Sequence, residues 1–185
     1  MTDKQHILRL IQSHKQLDNF DYSKAVDWVI DLIRQGKETE NVLRLASFSE
    51  PIDRFEIRPY VTKALNDFGI EELDYKSAVI AVTHYHLNEI LNDRQVRKNL
   101  QSLSQLCVDN DYKYGLVNFY LIYHGWDELE EIGVNYYFEG ANLDNIEEVL
   151  KKEARSGLTN IFTEKMRNQS NNIKQEKKKK HYPRP

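Results

Sequence analysis

With one cysteine, Cys107, among 185 residues, the chain can form neither an internal disulfide nor a thiolate metal cluster, and that usage fits a reducing compartment. Glycine (7) and proline (4) are equally scarce, too few for the turn-dense connections of a β-sandwich or barrel. No apolar run approaches the about 20 residues of a membrane span. The N-terminal MTDKQHILRL lacks the apolar core of a signal peptide. The expected setting is therefore a cytoplasm, a bacterial one in our reading, with no membrane as partner. The glycines never form G-x-G or G-x4-G-K, which removes the phosphate-cradling loops and dinucleotide fingerprints. G-x-S-x-G and H-E-x-x-H are missing too, and with them the common hydrolase and zinc-protease signatures. No cofactor and no metal are expected.

What is present is a globular composition, 40% hydrophobic and 30% charged, in a length that suits one domain whose core needs no staples. Charge is unevenly placed. Residues 164–185 carry eight Lys or Arg against two Glu, a net of +6, whereas residues 1–163 carry 18 basic against 27 acidic side chains, a net of −9. After Met166 the only aliphatic residue is Ile173, and such a segment buries too little surface to offset its ordering entropy. The expectation is an acidic all-helical domain over 1–163 and a basic, disordered tail over 164–185.

The apolar period is helical along most of the body. Tyr22, Ala25, Val26, Val29, Leu32 and Ile33 share one face, with Asp21 as cap and Gly36 as stop. Ile57, Tyr60, Val61, Ala64, Leu65 and Phe68 form a second stripe ending at Gly69, in which Pro59 is tolerable if the helix starts near Glu56, since first-turn amides have no partner to lose. Val96, Leu100, Leu103 and Cys107 form a third behind Asn92 or Asp93. Shorter helices are expected at 4–14, 40–47 and 144–155. Residues 75–91 and 116–123 are apolar nearly all round, which places them in the middle of a bundle, although LVNFYLIY at 116–123 also reads as a strand whose one available partner is VNYYF at 134–138. Helix starts fall near 75, 93, 113, 127 and 144, so that antiparallel pairs recur at about 35 to 38 residues, close to helical-repeat periods, without a repeat consensus. The fold expected is all-α, a single-domain helical bundle or a short irregular helical-repeat array of about eight helices.

Several residues invite chemistry. His84 and His86 chelate well on a strand, but on a helix they diverge by about 200°. The functional alternative pairs His86 with Glu89, and the packing alternative makes His86 a core histidine with one hydrogen bond. Arg9 and His14 form R-x4-H, a spacing that resembles the motif of helical ribonucleases of the higher-eukaryote and prokaryote nucleotide-binding (HEPN) type. The resemblance implies a small ribonuclease with these two residues as its catalytic pair. In that family the motif usually lies late in the domain with a polar residue after the arginine, whereas here it is in the first helix and Leu10 follows. His14 also completes the Ile7, Leu10, Ile11 stripe. Cys107, on an apolar stripe, reads as a buried, inert thiol.

Aromatic residues and acids carry the functional expectation. Tyr112, Tyr114, Tyr120, Tyr123, Tyr136 and Tyr137 crowd around Trp126, and most of them are expected in the core. From Asp127 to Glu153 nine acids face two bases. Tyr and Trp dominate contact energy at interfaces, and a net charge steers association. The expectation is a non-catalytic protein-binding module, with an inhibitor or immunity-type partner of a basic protein such as a nuclease toxin as its specific version. Trp126, Tyr136 and Tyr137 would be its anchors and Asp127, Glu128, Glu130 and Glu131 its steering charges. The alternative is nucleic-acid association through Lys177, Lys178, Lys179 and Lys180.

Overall fold

The computed structural model describes residues 3–17 and 20–159, and every regular element within them is an α-helix. In chain order these are α1 (Asp3–Gln12), α2 (Ser23–Arg34), α3 (Glu40–Ala46), α4 (Arg54–Asp67), α5 (Tyr75–Leu91), α6 (Val96–Asp109) and α7 (Val117–Ile132), followed by α8 over residues 146–159. Eight helices and no strand among the described residues make an all-α helical bundle. The tail at 164–185, with Lys177, Lys178, Lys179 and Lys180, lies outside the described residues.

Two compact units divide the chain, with the boundary inside α5 between Tyr85 and His86. In the first, α3 packs on both α2 and α4, and α1 on α2. Its core is built from the stripes that periodicity marks: Ala25, Val26, Val29 and Leu32 of α2, and Ile57, Val61, Ala64 and Leu65 of α4. In the second, α6 packs on α7, and Leu100, Leu103 and Cys107 meet a core that includes Phe119, Ile122 and Trp126. Gly157 lets α8 approach closely, because a Cβ there would stand 3.3 Å from both Leu87 and Phe119.

Local chemistry explains the helix ends. Asp53 accepts from the amides of Phe55 (2.7 Å) and Glu56 (3.1 Å), and Thr39 from that of Val42 (3.1 Å), which satisfies donors that have no intrahelical partner. α2 and α4 close alike. Gly36 (φ +72°) and Gly69 (φ +65°) occupy the left-handed position that a side chain resists, so that Lys37 N–H reaches Leu32 O and Ile70 N–H reaches Leu65 O, each at 3.0 Å.

Four expectations are corrected. α4 begins at Arg54, so Pro59 is the sixth helical residue and withholds a hydrogen bond from the Phe55 carbonyl; the helix survives because that turn is exposed, where water can take the bond. α6 starts behind Gln95, in a left-handed conformation without a side-chain cap, rather than behind Asn92 or Asp93. The helical reading of 116–123 holds from Val117 and its strand alternative with 134–138 falls, but α7 runs unbroken through the helix start expected at 127. The regular repeat spacing therefore disappears. α7 is also not apolar all round in its setting: Leu116, Phe119, Ile122, Trp126 and Leu129 are buried, whereas Val117 is exposed.

Asp53→Ala removes both cap bonds of α4 at an exposed position. It should lower stability by about 1 kcal/mol, read as a shifted urea midpoint with an unchanged m-value.

Candidate functional site

The second unit buries Phe119 and Trp126 but leaves Tyr112, Tyr114, Tyr136 and Tyr137 exposed. Tyr120 and His124 stand one turn apart on α7, beside its buried stripe, with ring centroids 4.4 Å apart. Tyr112, from the α6–α7 loop, meets Tyr120 edge-on at 5.3 Å, and Tyr137, from the loop after α7, lies 6.1 Å from His124. Four rings thus form a continuous strip. Its ends are open to solvent, Tyr112 at 50% and Tyr137 at 44% exposure, and the neighbouring Tyr136 reaches 77%. Tyr112 and Tyr114 both adopt φ +59°, a backbone region that side chains larger than glycine occupy only under strain. The core role expected for most of these tyrosines is therefore overturned for Tyr112, Tyr114, Tyr136 and Tyr137. Loops hold all four, and loops cannot bury what a helix stripe can.

Asparagine chemistry holds the outer loop in place. Asn135 Oδ1 accepts from the amides of Tyr137 (2.8 Å) and Phe138 (2.9 Å), while its Nδ2 donates to Phe138 O (2.6 Å). This Asx turn leaves Tyr136 at its tip. Glu128 of α7 accepts from Tyr136 N–H at 3.1 Å. Gly125 makes the approach possible, since a Cβ there would lie 2.7 Å from Asn135 Oδ1. A mid-helix glycine, unfavourable by about 1 kcal/mol relative to alanine, has a physical reason here.

The acids expected to steer a partner are unequal. The Arg97 guanidinium lies over Trp126 (4.7 Å) and Tyr123 (4.9 Å), and ion-pairs with Asp127 and with Glu130 (3.7 Å). Trp126 itself is 8% exposed. It acts as a core residue under an arginine lid, so of the three expected anchors only Tyr136 and Tyr137 are exposed. Asp127 and Glu130 are compensated by Arg97, Glu128 is bound to the loop, and Glu131 remains exposed with Glu139 near the tyrosines in sequence.

The first unit contains a polar cluster that sequence reasoning half found. Leu73 N–H donates to Gln12 O (3.0 Å), and Gln12 and Gln16 side-chain amides donate to Glu71 O (2.7 Å) and Leu73 O (3.2 Å). These bonds dock residues 71–73 on the end of α1 and bring Glu72 to His14. Glu72 Oε1 takes Thr62 Oγ1 at 2.7 Å and His14 Nε2 at 3.1 Å, and its Oε2 takes Lys15 Nζ at 2.8 Å. Burial alone would raise the Glu72 pKa, but the bonds from Lys15, Thr62 and His14 hold it below the ordinary range. An ionised carboxylate only accepts, so Nε2 of His14 carries the proton. His14 is fully buried against Phe20 and Tyr22, and burial lowers its pKa to about 4 against the pull of Glu72. The buried ring spends its Nε2–H on Glu72, which is a packing role for this histidine. Arg9 lies on α1 and His14 in the turn beyond it, so the ribonuclease pairing has no support in this geometry. Glu72 and Thr62 were invisible beforehand, since 58 and 48 residues separate them from His14.

His84 and His86 take separate partners, as helical divergence requires. The His84 ring is 6.3 Å from that of His6. His86 Nδ1 is 2.7 Å from Asn99 Oδ1, and burial holds its pKa below the usual value. Glu89, the alternative partner of His86, instead takes Arg94 at 3.0 Å. Cys107 is buried, which pushes its thiol pKa up. Among the described residues no three His, Cys, Asp or Glu side chains converge as metal ligands.

His14 sets an acid sensitivity. Its pKa is about 6.5 unfolded and about 4 folded, so between those values the unfolded chain binds the extra proton and stability falls as pH falls. The loss should approach about 3 kcal/mol by pH 4, and His14→Gln should flatten the curve of stability against pH between 6.5 and 4. The depressed Glu72 adds a loss of the same sign at lower pH. Gly125→Ala should disturb the loop: amide exchange at Tyr137 and Phe138 should quicken while the far-ultraviolet spectrum stays helical. Comparison with family models, curated proteins and solved structures finds no match for the chain.

Proposed function

We propose that this protein is a non-catalytic protein-binding module whose contact surface is the tyrosine strip of the second unit. The observation that carries this reading is the continuous run Tyr112, Tyr120, His124, Tyr137, half-buried in its middle and exposed at both ends, with exposed Tyr136 beside it. Of the twelve exposed large hydrophobic residues among the described ones, nine lie in this unit and five of those fall between Ile132 and Leu143, a concentration that marks a contact face. Tyrosine suits such a face, combining a large apolar ring with a hydroxyl that accepts a wet or a dry neighbour. Exposed Glu131 and Glu139 edge the segment, and residues 86–163 carry 13 acids against seven bases, which favours a basic partner protein. An inhibitor or immunity-type role against a basic toxin in a bacterial cytoplasm is the specific form of this reading. It rests on charge and exposure together.

Three full-length proteins test the reading: wild type, Tyr136→Ala with Tyr137→Ala, and Glu131→Lys with Glu139→Lys. All carry changes at exposed positions and should keep wild-type helicity. Against the protein that wild type captures, the tyrosine variant should bind more than thirtyfold more weakly, the loss of about 2 kcal/mol typical of an anchor, mainly through faster dissociation. The charge variant should associate more slowly at low salt and like wild type at high salt. Equal capture by all three proteins would refute the surface. So would a catch consisting only of nucleic acid that vanishes when Lys177 to Lys180 are replaced by Gln.

A further inference from the structure

The first unit has a cleft of about 380 Å³ on the side of α4 away from its buried stripe, lined by Lys15, Phe55, Arg58, Pro59, Thr62 and Lys63. Three of these six are cations and none is an acid. Glu72 borders the cleft through Lys15 and Thr62, but its oxygens are engaged by Lys15, Thr62 and His14. Arg58 donates to Lys15 O, which ties the α4 cations to the turn after α1. The positive charge of the cleft therefore exceeds the negative charge beside it.

Phe55 adds a second requirement. It sits at 72% exposure on the solvent side of a helix whose core is already made by Ile57, Val61, Ala64 and Leu65. The Arg54 guanidinium lies 4.8 Å from its ring centroid. A flat apolar ring left in water next to cations matches a ligand that is both flat and anionic. Acidic side chains meet the charge but not the ring. A nucleotide meets both, since every base has a π-face to stack and every phosphate a charge to place.

We propose that this cleft binds a nucleotide unit, its base stacked on Phe55 and its phosphate held by Arg58 and Lys63 with Lys15 behind. Thr62 gives its proton to Glu72 and so keeps Lys15 in place instead of donating to the phosphate. A free mononucleotide and one unit of a single strand share this chemistry.

The test uses the full chain with Lys177, Lys178, Lys179 and Lys180 replaced by Gln, which silences tail contacts to phosphate. Fluorescence anisotropy with a labelled 12-mer oligothymidylate and competition with ATP separate the two sources. Binding of either one supports the site: competition by ATP makes it a mononucleotide site, and binding of the 12-mer alone makes it a strand site. Phe55→Ala should weaken binding about tenfold, within the range for loss of one stacked base. Phe55→Tyr should restore it. Lys63→Ala should reduce the slope of log affinity against log salt by about 0.7, one phosphate contact on a single strand. Both alanine changes are at exposed residues, so circular dichroism should match that of the parent. The proposal is overturned if neither probe binds, if Phe55→Ala binds as the parent does, or if pyrophosphate or polyglutamate displaces the bound probe at the concentration at which ATP or unlabelled 12-mer does.

Discussion

A helix can bury only a limited arc of its circumference against its neighbours, and that limit governs this molecule. On α7 the arc is filled by Phe119, Ile122, Trp126 and Leu129, so the tyrosines and histidine beside it stay at the surface however apolar the segment is. On α4 the arc is filled by Ile57, Val61, Ala64 and Leu65, and Phe55 is left outside. Both candidate surfaces are what remains after the stripes have been buried. Small helical units have a high ratio of surface to volume, so a chain rich in aromatic residues necessarily displays some of them.

Single polar side chains then set the geometry between the helices. Glu72 joins the end of α1, α4 and the turn before α5 by accepting from three side chains, and Asn135 folds the loop after α7 around its own amide. Asn99 does similar work at the start of α6, where its amide nitrogen donates to Arg94 O (2.7 Å) and Gln95 O (3.2 Å) while its oxygen faces His86. Buried or half-buried groups of this kind are costly when unpaired. Each therefore selects one arrangement over others that would bury the same apolar area. The Arg97 lid works differently: stacking on two rings and pairing with two carboxylates fix one cation by several weak contacts, and they remove acidity that sequence alone would count as available.

Helix identity and most helix ends were legible in the chain because the signals are local. The stripes of α2, α4 and α6 follow a period of 3.6, and Gly36 and Gly69 stop two helices by a conformation that depends on their own backbone alone. The errors were non-local. A strand reading of 116–123 needed a pairing partner, and the segment at 134–138 is instead held by Asn135 and Glu128. The cap of α6 is Gln95, two residues beyond Asp93, whose carboxylate pairs with Lys151 of α8 (2.6 Å), a contact that no window around residue 93 contains.

Sequence by itself determined that this is a helical, metal-motif-free and acidic body with a basic tail, since composition and periodicity are properties of neighbours along the chain. Tertiary structure alone decided which residues are available for function. Trp126 and Tyr136 look alike as candidate anchors on paper, yet one lies under Arg97 and the other stands at the tip of a loop. His14 looked like half of a catalytic pair, yet burial holds it neutral against the pull of Glu72, which accepts its Nε2–H. Exposure depends on what other segments bring to a residue, and Glu72 reaches His14 across 58 residues, farther than any local pattern extends.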